Sequence, residues 1–383
     1  MPLFSWAFLF KERNENKGEE HMKISKSVAA ILVLATILAV AASCGGDKQE
    51  QPTTSTVADT SAQSTVSAQN TQPSSPEQSS AAQNEPSAAN QTETAPNAST
   101  SADAKANDPV IDMDRDGNPI TLPATMERII SMGPSNTEVL VALGFADRII
   151  ATDTYSENVP GINAGISLFS MMSPDGEQII SLAPDVIFVT GMSRAGGEDP
   201  FKIIADAGIC LVYMPSSTSI EAIKEDIRFM AAVMGVVDKG EEIVVGMEKE
   251  IDDIVAVTKT LDAGRKVYFE IGAAPYMYSF GHDTFLNEMI GMLGGVNIFA
   301  DQNSWISVAD EAVLAADPDI ILTSVNYIDD PIGEIKSRDG WDVITAIKND
   351  AVYYISTDAS NRPSHNIVIA LRQMAEAIYP GAF

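Results

Sequence analysis

EQIISLAPDVIFVT (177–190) and, 134 positions further on, EAVLAADPDIILTS (311–324) share one chemical layout. Each opens on a Glu, runs through a short apolar segment of helical character, meets Pro-Asp seven residues after the Glu, and enters a strand-like run. Glu177 and Pro184 of the first copy correspond to Glu311 and Pro318 of the second. Proline lacks a backbone donor and keeps the residue before it out of the α region, so it ends the helix just before the strand. A helix-stop-strand unit used twice predicts a duplicated α/β architecture.

Working outward from each copy, strand-like and helix-like segments alternate. The first series contains RIISM (128–132), a helix opened by PSNTE, RIIATD (148–153), a helix from about Glu177 and DVIFVTG (185–191). A helix after Pro200, ICLVYM (209–214) and a helix over 219–234 complete it. Ser135 and Glu138 have capping-box spacing, with Pro134 just outside the helix. DKGEEIVVGMEKEIDDIVAVTKTL (238–261) then reads as one long amphipathic helix ending at Gly264, with Ile243, Met247, Ile251, Ile254 and Val255 as its apolar stripe. The second series has KVYFEIG (266–272), helices over 284–295 and from about Val308, DIILTS (319–324), a helix over 340–348, AVYYIS (351–356) and a closing helix from about Asn366. Alternation of this kind implies parallel sheets covered by helices. The fold expected is α/β: two similar α/β lobes with mainly parallel sheets (109–236 and 265–383), joined by one long α-helix (237–264), with a ligand cleft between the lobes.

PVIDMDRDGNPITLP (109–123) opens the globular part. Asp112, Asp114, Asp116 and Gly117 match the start of a calcium loop, but Pro123 stands where the bidentate Glu is needed. Asp116-Gly117 between extended runs is read instead as a hairpin turn.

Residues 1–43 form a targeting region. MKISKS (22–27) precedes the apolar run VAAILVLATILAVAAS (28–43), which ends in small residues before Cys44: a positive n-region, an h-region and a processing site. Acidic residues ahead of Met22 do not suit an export signal, so translation is expected to start at Met22. AASCGG resembles a bacterial lipobox, which implies that Cys44 is lipidated and becomes the mature N-terminus. Residues 44–108 are rich in Ser, Thr, Ala, Gln, Asn and Pro; such a chain buries too little apolar surface to fold. It is expected to be a leash with a reach of about 45 Å. Cys210, the other of the two cysteines, has no partner for an intramolecular disulfide and reads as a small buried hydrophobe.

A formal net charge of −29 on 383 residues excludes a phosphate backbone as partner. The sequence has no G-x-S-x-G elbow, phosphate-cradling glycine loop or H-E-x-x-H, so it is read as non-enzymatic. For any single Glu at a helix start, the favourable dipole is explanation enough. Two at matching places on similar lobes can also present paired charges to a partner carrying two arginines.

RIISMGPSNTEVLVALG (128–144), EQIISLAPDVIFVT, LNEMIGMLGGVNIFAD (286–301) and WISVADEAVLAADPDIIL (305–322) together resemble the helical-backbone class of bacterial ABC-transporter solute-binding proteins, which serves cobalamin, ferric siderophores and haem. The resemblance runs in unbroken order from about residue 110 to the C-terminus. It implies a monomeric, extracytoplasmic receptor, lipid-anchored to the bacterial cell membrane, that captures a small molecule and hands it to an ABC permease dimer with its ATPase. It further implies that Glu177 and Glu311 dock on permease arginines. Ligand-binding candidates in loops after the strands are Tyr155, Met171, Met172, Tyr276, Tyr278, Trp305, Arg362 and His365. Their largely uncharged aromatic character suits a corrinoid; a ferric siderophore would favour more arginines, and haem could take His365 and one of the two methionines as axial ligands. No cofactor and no metal are expected, since only His282 and His365 remain to build an imidazole-rich site in the globular part. A surface sensor or adhesion lipoprotein on the same fold is the alternative outside transport.

Overall fold

The computed structural model describes residues 111–194 and 197–383. The signal region, the lipidation site at Cys44 and the leash therefore lie outside the described residues.

The N-terminal lobe holds five parallel strands: β1 (Ile129–Met132), β2 (Ile149–Asp153), β3 (Ser167–Phe169), β4 (Val186–Thr190) and β5 (Cys210–Met214), in the order β3-β2-β1-β4-β5. Successive side chains point to opposite faces of a strand. Ile129, Val186, Phe188, Val212 and Met214 accordingly face one core, while Ile130, Met132, Ile187, Val189 and Tyr213 face a second. Both faces are covered, which is why these strands read as unbroken apolar runs.

The C-terminal lobe contains β6 (Lys266–Glu270), β7 (Tyr278–Phe280), β8 (Val296–Asn297), β9 (Trp305–Ser307), β10 (Ile320–Thr323) and β11 (Val352–Tyr354). Four of them form a parallel sheet in the order β11-β10-β6-β8, and β7 pairs antiparallel with β9. Between the lobes runs the helix Val237–Thr258. Its residues Val244, Met247, Ile251, Ile254 and Val255 are buried in a core continuous with both sheets, so the two α/β lobes share one apolar interior along the helix. Where this helix crosses Ile220–Val233, a Cβ on Gly240 would stand 2.3 Å from the Ala231 Cβ; glycine permits that close approach.

The duplicated unit folds the same way twice. Gly176–Ser181 and Asp310–Ala316 are short helices with Glu177 and Glu311 in their first turns, both exposed. Each copy leaves its helix through a non-glycine residue with left-handed φ, Ala183 at 46° and Asp317 at 47°, directly before the buried Pro. The following Asp then ties the strand to its neighbour. Asp185 accepts the backbone N–H groups of Glu127 and Arg128 at 2.8 and 2.9 Å, and Asp319 accepts that of Lys266 at 2.8 Å. A basic side chain completes each copy: Arg128 donates to the Ala183 carbonyl and Lys266 to that of Ala316, satisfying acceptors that a helix end leaves open.

Several local expectations change. The long helix ends at Thr258 rather than Gly264; Thr258 and Thr260 hydroxyls bond back to the carbonyls of Val255 and Val257, and the chain then turns off. The helix expected over 340–348 is broken, because Gly340 is left-handed and Ile344 extended, leaving a 3-10 turn (Trp341–Val343) and a four-residue helix (Thr345–Lys348). Ser135 is not a cap: Pro134 is already helical in Pro134–Ala142, and Gly133, with φ of 150°, occupies the capping position without a side-chain bond. The turn at 116–117 is built around buried Asp114, whose carboxylate accepts the N–H groups of Asp116, Asn118 and Tyr213.

Candidate functional site

In a parallel sheet the open coordination sites lie beyond the carboxyl ends of the strands. At that edge of the N-terminal lobe, β2 ends in Asp153, which is fully buried. Its carboxylate accepts the N–H groups of Gly133 and Tyr155, both at 2.8 Å, and the Ser156 hydroxyl. Burial pushes this carboxyl up from its ordinary value, an effect the donated hydrogen bonds oppose. The cluster fixes the turn that carries Tyr155, which is 40 % exposed.

At the matching edge of the C-terminal lobe, β6 ends in Glu270, wholly buried and bound through both oxygens by Arg338 at 2.7 and 2.8 Å. Arg338 also pairs with Glu334 at 2.5 Å and lies over the Trp341 ring. Burial works against its charge, yet the bonds to both carboxylates prevail and hold the guanidinium above its ordinary pKa. This knot anchors the loop after β6, on which Tyr276 is 71 % exposed. Tyr327, in the loop after β10, is 46 % exposed, and its hydroxyl accepts the Ala273 N–H at 2.8 Å, so the two tyrosines stand on adjoining loops. Tyr278 and Trp305 belong to the β7–β9 pair. Tyr278 packs against the core, whereas Trp305 rests edge-on against Phe280 and is 38 % exposed.

Arg362 meets the other lobe. Its guanidinium pairs with Glu138 at 2.9 Å and Asp358 at 2.8 Å, and it donates to the Tyr155 carbonyl at 3.3 Å. Arg362 and Tyr155, from opposite lobes, are thus brought together. Met171 is 5 % exposed within the N-terminal core and Met172 packs half-buried beside it, so neither presents much surface to a ligand. His365 is half-buried with no hydrogen-bond partner for Nδ1 among the described residues. Burial lowers its pKa, while nearby Glu138 pulls the other way. No group of three or more His, Cys, Asp or Glu among the described residues is placed to hold a metal ion.

Sequence reasoning missed Glu138 and Tyr327. Capping-box spacing points to a local role for Glu138, whereas the residue is 5 % exposed and its carboxylate takes three donors from the C-terminal lobe. Tyr327 carries no local signal; only the pairing of β10 beside β6 brings it to Ala273.

The state of His365 has a measurable consequence. Its folded pKa lies below the ordinary value of about 6.5, so the stability contributed by the neutral ring is present above that value and lost as pH falls from it through the lower folded one. Urea unfolding between pH 7.5 and 5 should show stability declining on acidification by at most about 1.4 kcal/mol per pH unit from this group. That component should vanish in His365→Gln; an unchanged slope would show the ring to be unperturbed.

Two lobes of parallel sheet, a shared long helix and aromatic rims at the strand ends define a ligand carrier. The chain belongs to the periplasmic binding protein family, whose model matches residues 129–359. It is an ABC-transporter solute-binding protein of the two-lobed class and not an enzyme. An uncharacterized ABC transporter substrate-binding lipoprotein of Bacillus subtilis is 30 % identical over 280 residues, covering 72 % of this chain and 87 % of that protein. A cobalamin-binding protein of Halobacterium salinarum is 24 % identical over 293 residues, 73 % of this chain and 76 % of the relative. The crystal structure of a possible iron-binding, periplasmic solute-binding protein from Staphylococcus epidermidis superposes with a TM-score of 0.60 at 29 % identity, over 66 % of this chain and 99 % of that one.

Proposed function

We propose that the protein captures a corrinoid, cobalamin-like ligand between its lobes and delivers it to an ABC permease dimer and its ATPase, tethered to the outer face of the cell membrane by lipid on Cys44. The observation that carries the choice of ligand is the fate of the arginines beside the strand ends. Arg194 is paired with Asp116 and Asp199, Arg338 with Glu270 and Glu334, and Arg362 with Glu138 and Asp358. A strongly anionic ferric siderophore needs cations it can claim, and each of these is already met by two carboxylates. What the loops offer outward at Tyr155, Tyr276 and Tyr327, and β9 at Trp305, is aromatic surface with polar tips, which suits a large, weakly charged ligand. The cobalamin-binding relative supports the same choice.

Haem is the second reading, favoured by the Nδ1 of His365, which burial keeps neutral and which has no hydrogen-bond partner among the described residues. Met171 could oppose it only by leaving the core, so Met172 is the remaining axial candidate. Delivery follows from Glu177 and Glu311, exposed at matching places on the two lobes, where two permease arginines would pair with them. The experiment is to incubate the purified full chain with cobalamin, haem or a ferric siderophore separately, remove free ligand, and record the visible spectrum. Near-stoichiometric retention of cobalamin is expected; retention of haem alone would overturn the corrinoid reading and favour the second.

A further inference from the structure

The first helices of the two lobes, Pro134–Ala142 and Phe285–Met292, hold a second internal repeat. TEVLVALG (137–144) aligns with NEMIGMLG (287–294), which puts Glu138 in register with Glu288. Both glutamates leave their own lobe and land in the same place on the other, the N-terminal end of its last helix. Glu288 accepts the backbone N–H of Ile220, first residue of Ile220–Val233, at 2.8 Å. Glu138 accepts the Ser364 hydroxyl at 2.5 Å and the Asn366 side-chain N–H at 3.0 Å, and Asn366 stands at the N-cap position of Ile367–Ile378 without a side-chain bond to the helix backbone. Arg362 joins the same carboxylate at 2.9 Å. Negative charge is favoured at a helix N-terminus, where backbone N–H groups lack partners. Both receiving helices pack against the shared helix Val237–Thr258.

We infer that Glu138 and Glu288 form a pseudo-symmetric pair of interlobe clasps that fixes the spacing of the two lobes, which makes them positioning residues for ligand capture. In its bearing on capture the inference rests on the carrier function proposed above; the clasps themselves are testable without ligand. If the bonds were merely local caps, removing one would loosen only its own helix end. If they jointly hold two rigid lobes, removing one also weakens the other, because both depend on the same interlobe spacing, and the effect should run in both directions.

The test is amide hydrogen exchange on the ligand-free full chain in three forms: unaltered, Glu138→Gln and Glu288→Gln. Each amide replacement keeps size and an acceptor oxygen while losing the charge. Glu138→Gln is expected to speed exchange at Ile220, and Glu288→Gln to speed it at Arg362 and over 364–367, each about tenfold, the loss expected for one charge-assisted hydrogen bond. A response confined to the substituted clasp would overturn the inference. Should Glu138→Gln not fold, as its near-UV circular dichroism would reveal, Glu288→Gln alone decides between the same two outcomes. Spin labels on exposed Ile203 and Val343, one per lobe, supply a second readout, with a broadened distance distribution expected in the variants and an unchanged one contradicting the clasps. Failure of the unaltered chain to retain cobalamin would count against the proposed ligand and leave these readouts standing.

Discussion

Cells relying on this protein with Glu177→Arg and Glu311→Arg together should lose uptake, while the purified variant keeps its ligand affinity. Under the proposed docking on permease arginines, each substitution would turn an attraction into a repulsion, and like charges forced together at an interface cost several kcal/mol. Taking about 2–3 kcal/mol per site, the double variant should dock roughly a thousandfold or more weakly, since 1.4 kcal/mol is tenfold. The fold should tolerate the change. Both residues are exposed in first turns of short helices, where the lost dipole interaction is worth about 0.3–1 kcal/mol each. The backbone bonds that define these units belong to Asp185 and Asp319, which are left in place. Uptake of labelled ligand in cells, set beside affinity of the purified variant, separates docking from binding; unimpaired uptake would remove the docking role.

Arg338→Met should be the most destabilising single change near the site. It leaves Glu270, wholly buried at the end of β6, without its bidentate partner, and breaking one side of a buried pair costs about 3–5 kcal/mol. Methionine keeps some of the packing against Trp341, so the loss is electrostatic more than steric. The pH dependence gives the mechanism a signature. Burial already pushes the Glu270 carboxyl up, and removal of Arg338 pushes it further. A carboxyl raised in the folded state favours folding while it is protonated, and that advantage is lost as pH rises from the ordinary glutamate value through the folded one. The stability deficit of the variant should therefore be larger at pH 7.5 than at pH 5 in urea unfolding. A deficit under about 1 kcal/mol, or one independent of pH, would show that the pair is not the anchor of the Tyr276 loop.

Much of the architecture was legible because long, periodic segments carry their own physics. The apolar stripe of Val237–Thr258 and the double-sided burial of β1, β4, β5, β6 and β10 are visible as patterns of residues. Short elements were not: Ser167–Phe169, Val296–Asn297 and the β7–β9 pair have two or three residues each, too few for a period to declare itself. The site divides along the same line. Tyr155 and Tyr276, exposed in loops after strands, could be named from order alone, but Glu138 could not, because its partners lie more than 220 residues away. The one local hint was the repeat TEVLVALG and NEMIGMLG, which places a glutamate at the same point in both lobes.

The corrinoid proposal requires this two-lobed carrier to select a corrinoid over haem and ferric siderophores. The most direct measurement offers the purified full chain an equimolar mixture of cobalamin, haem and a ferric siderophore, strips the free molecules, and reads which chromophore stays with the protein. Cobalamin absorbance near one equivalent, with little from the other two, is the predicted result. Retention of haem or of the ferric siderophore in its place, or of no chromophore, would contradict it.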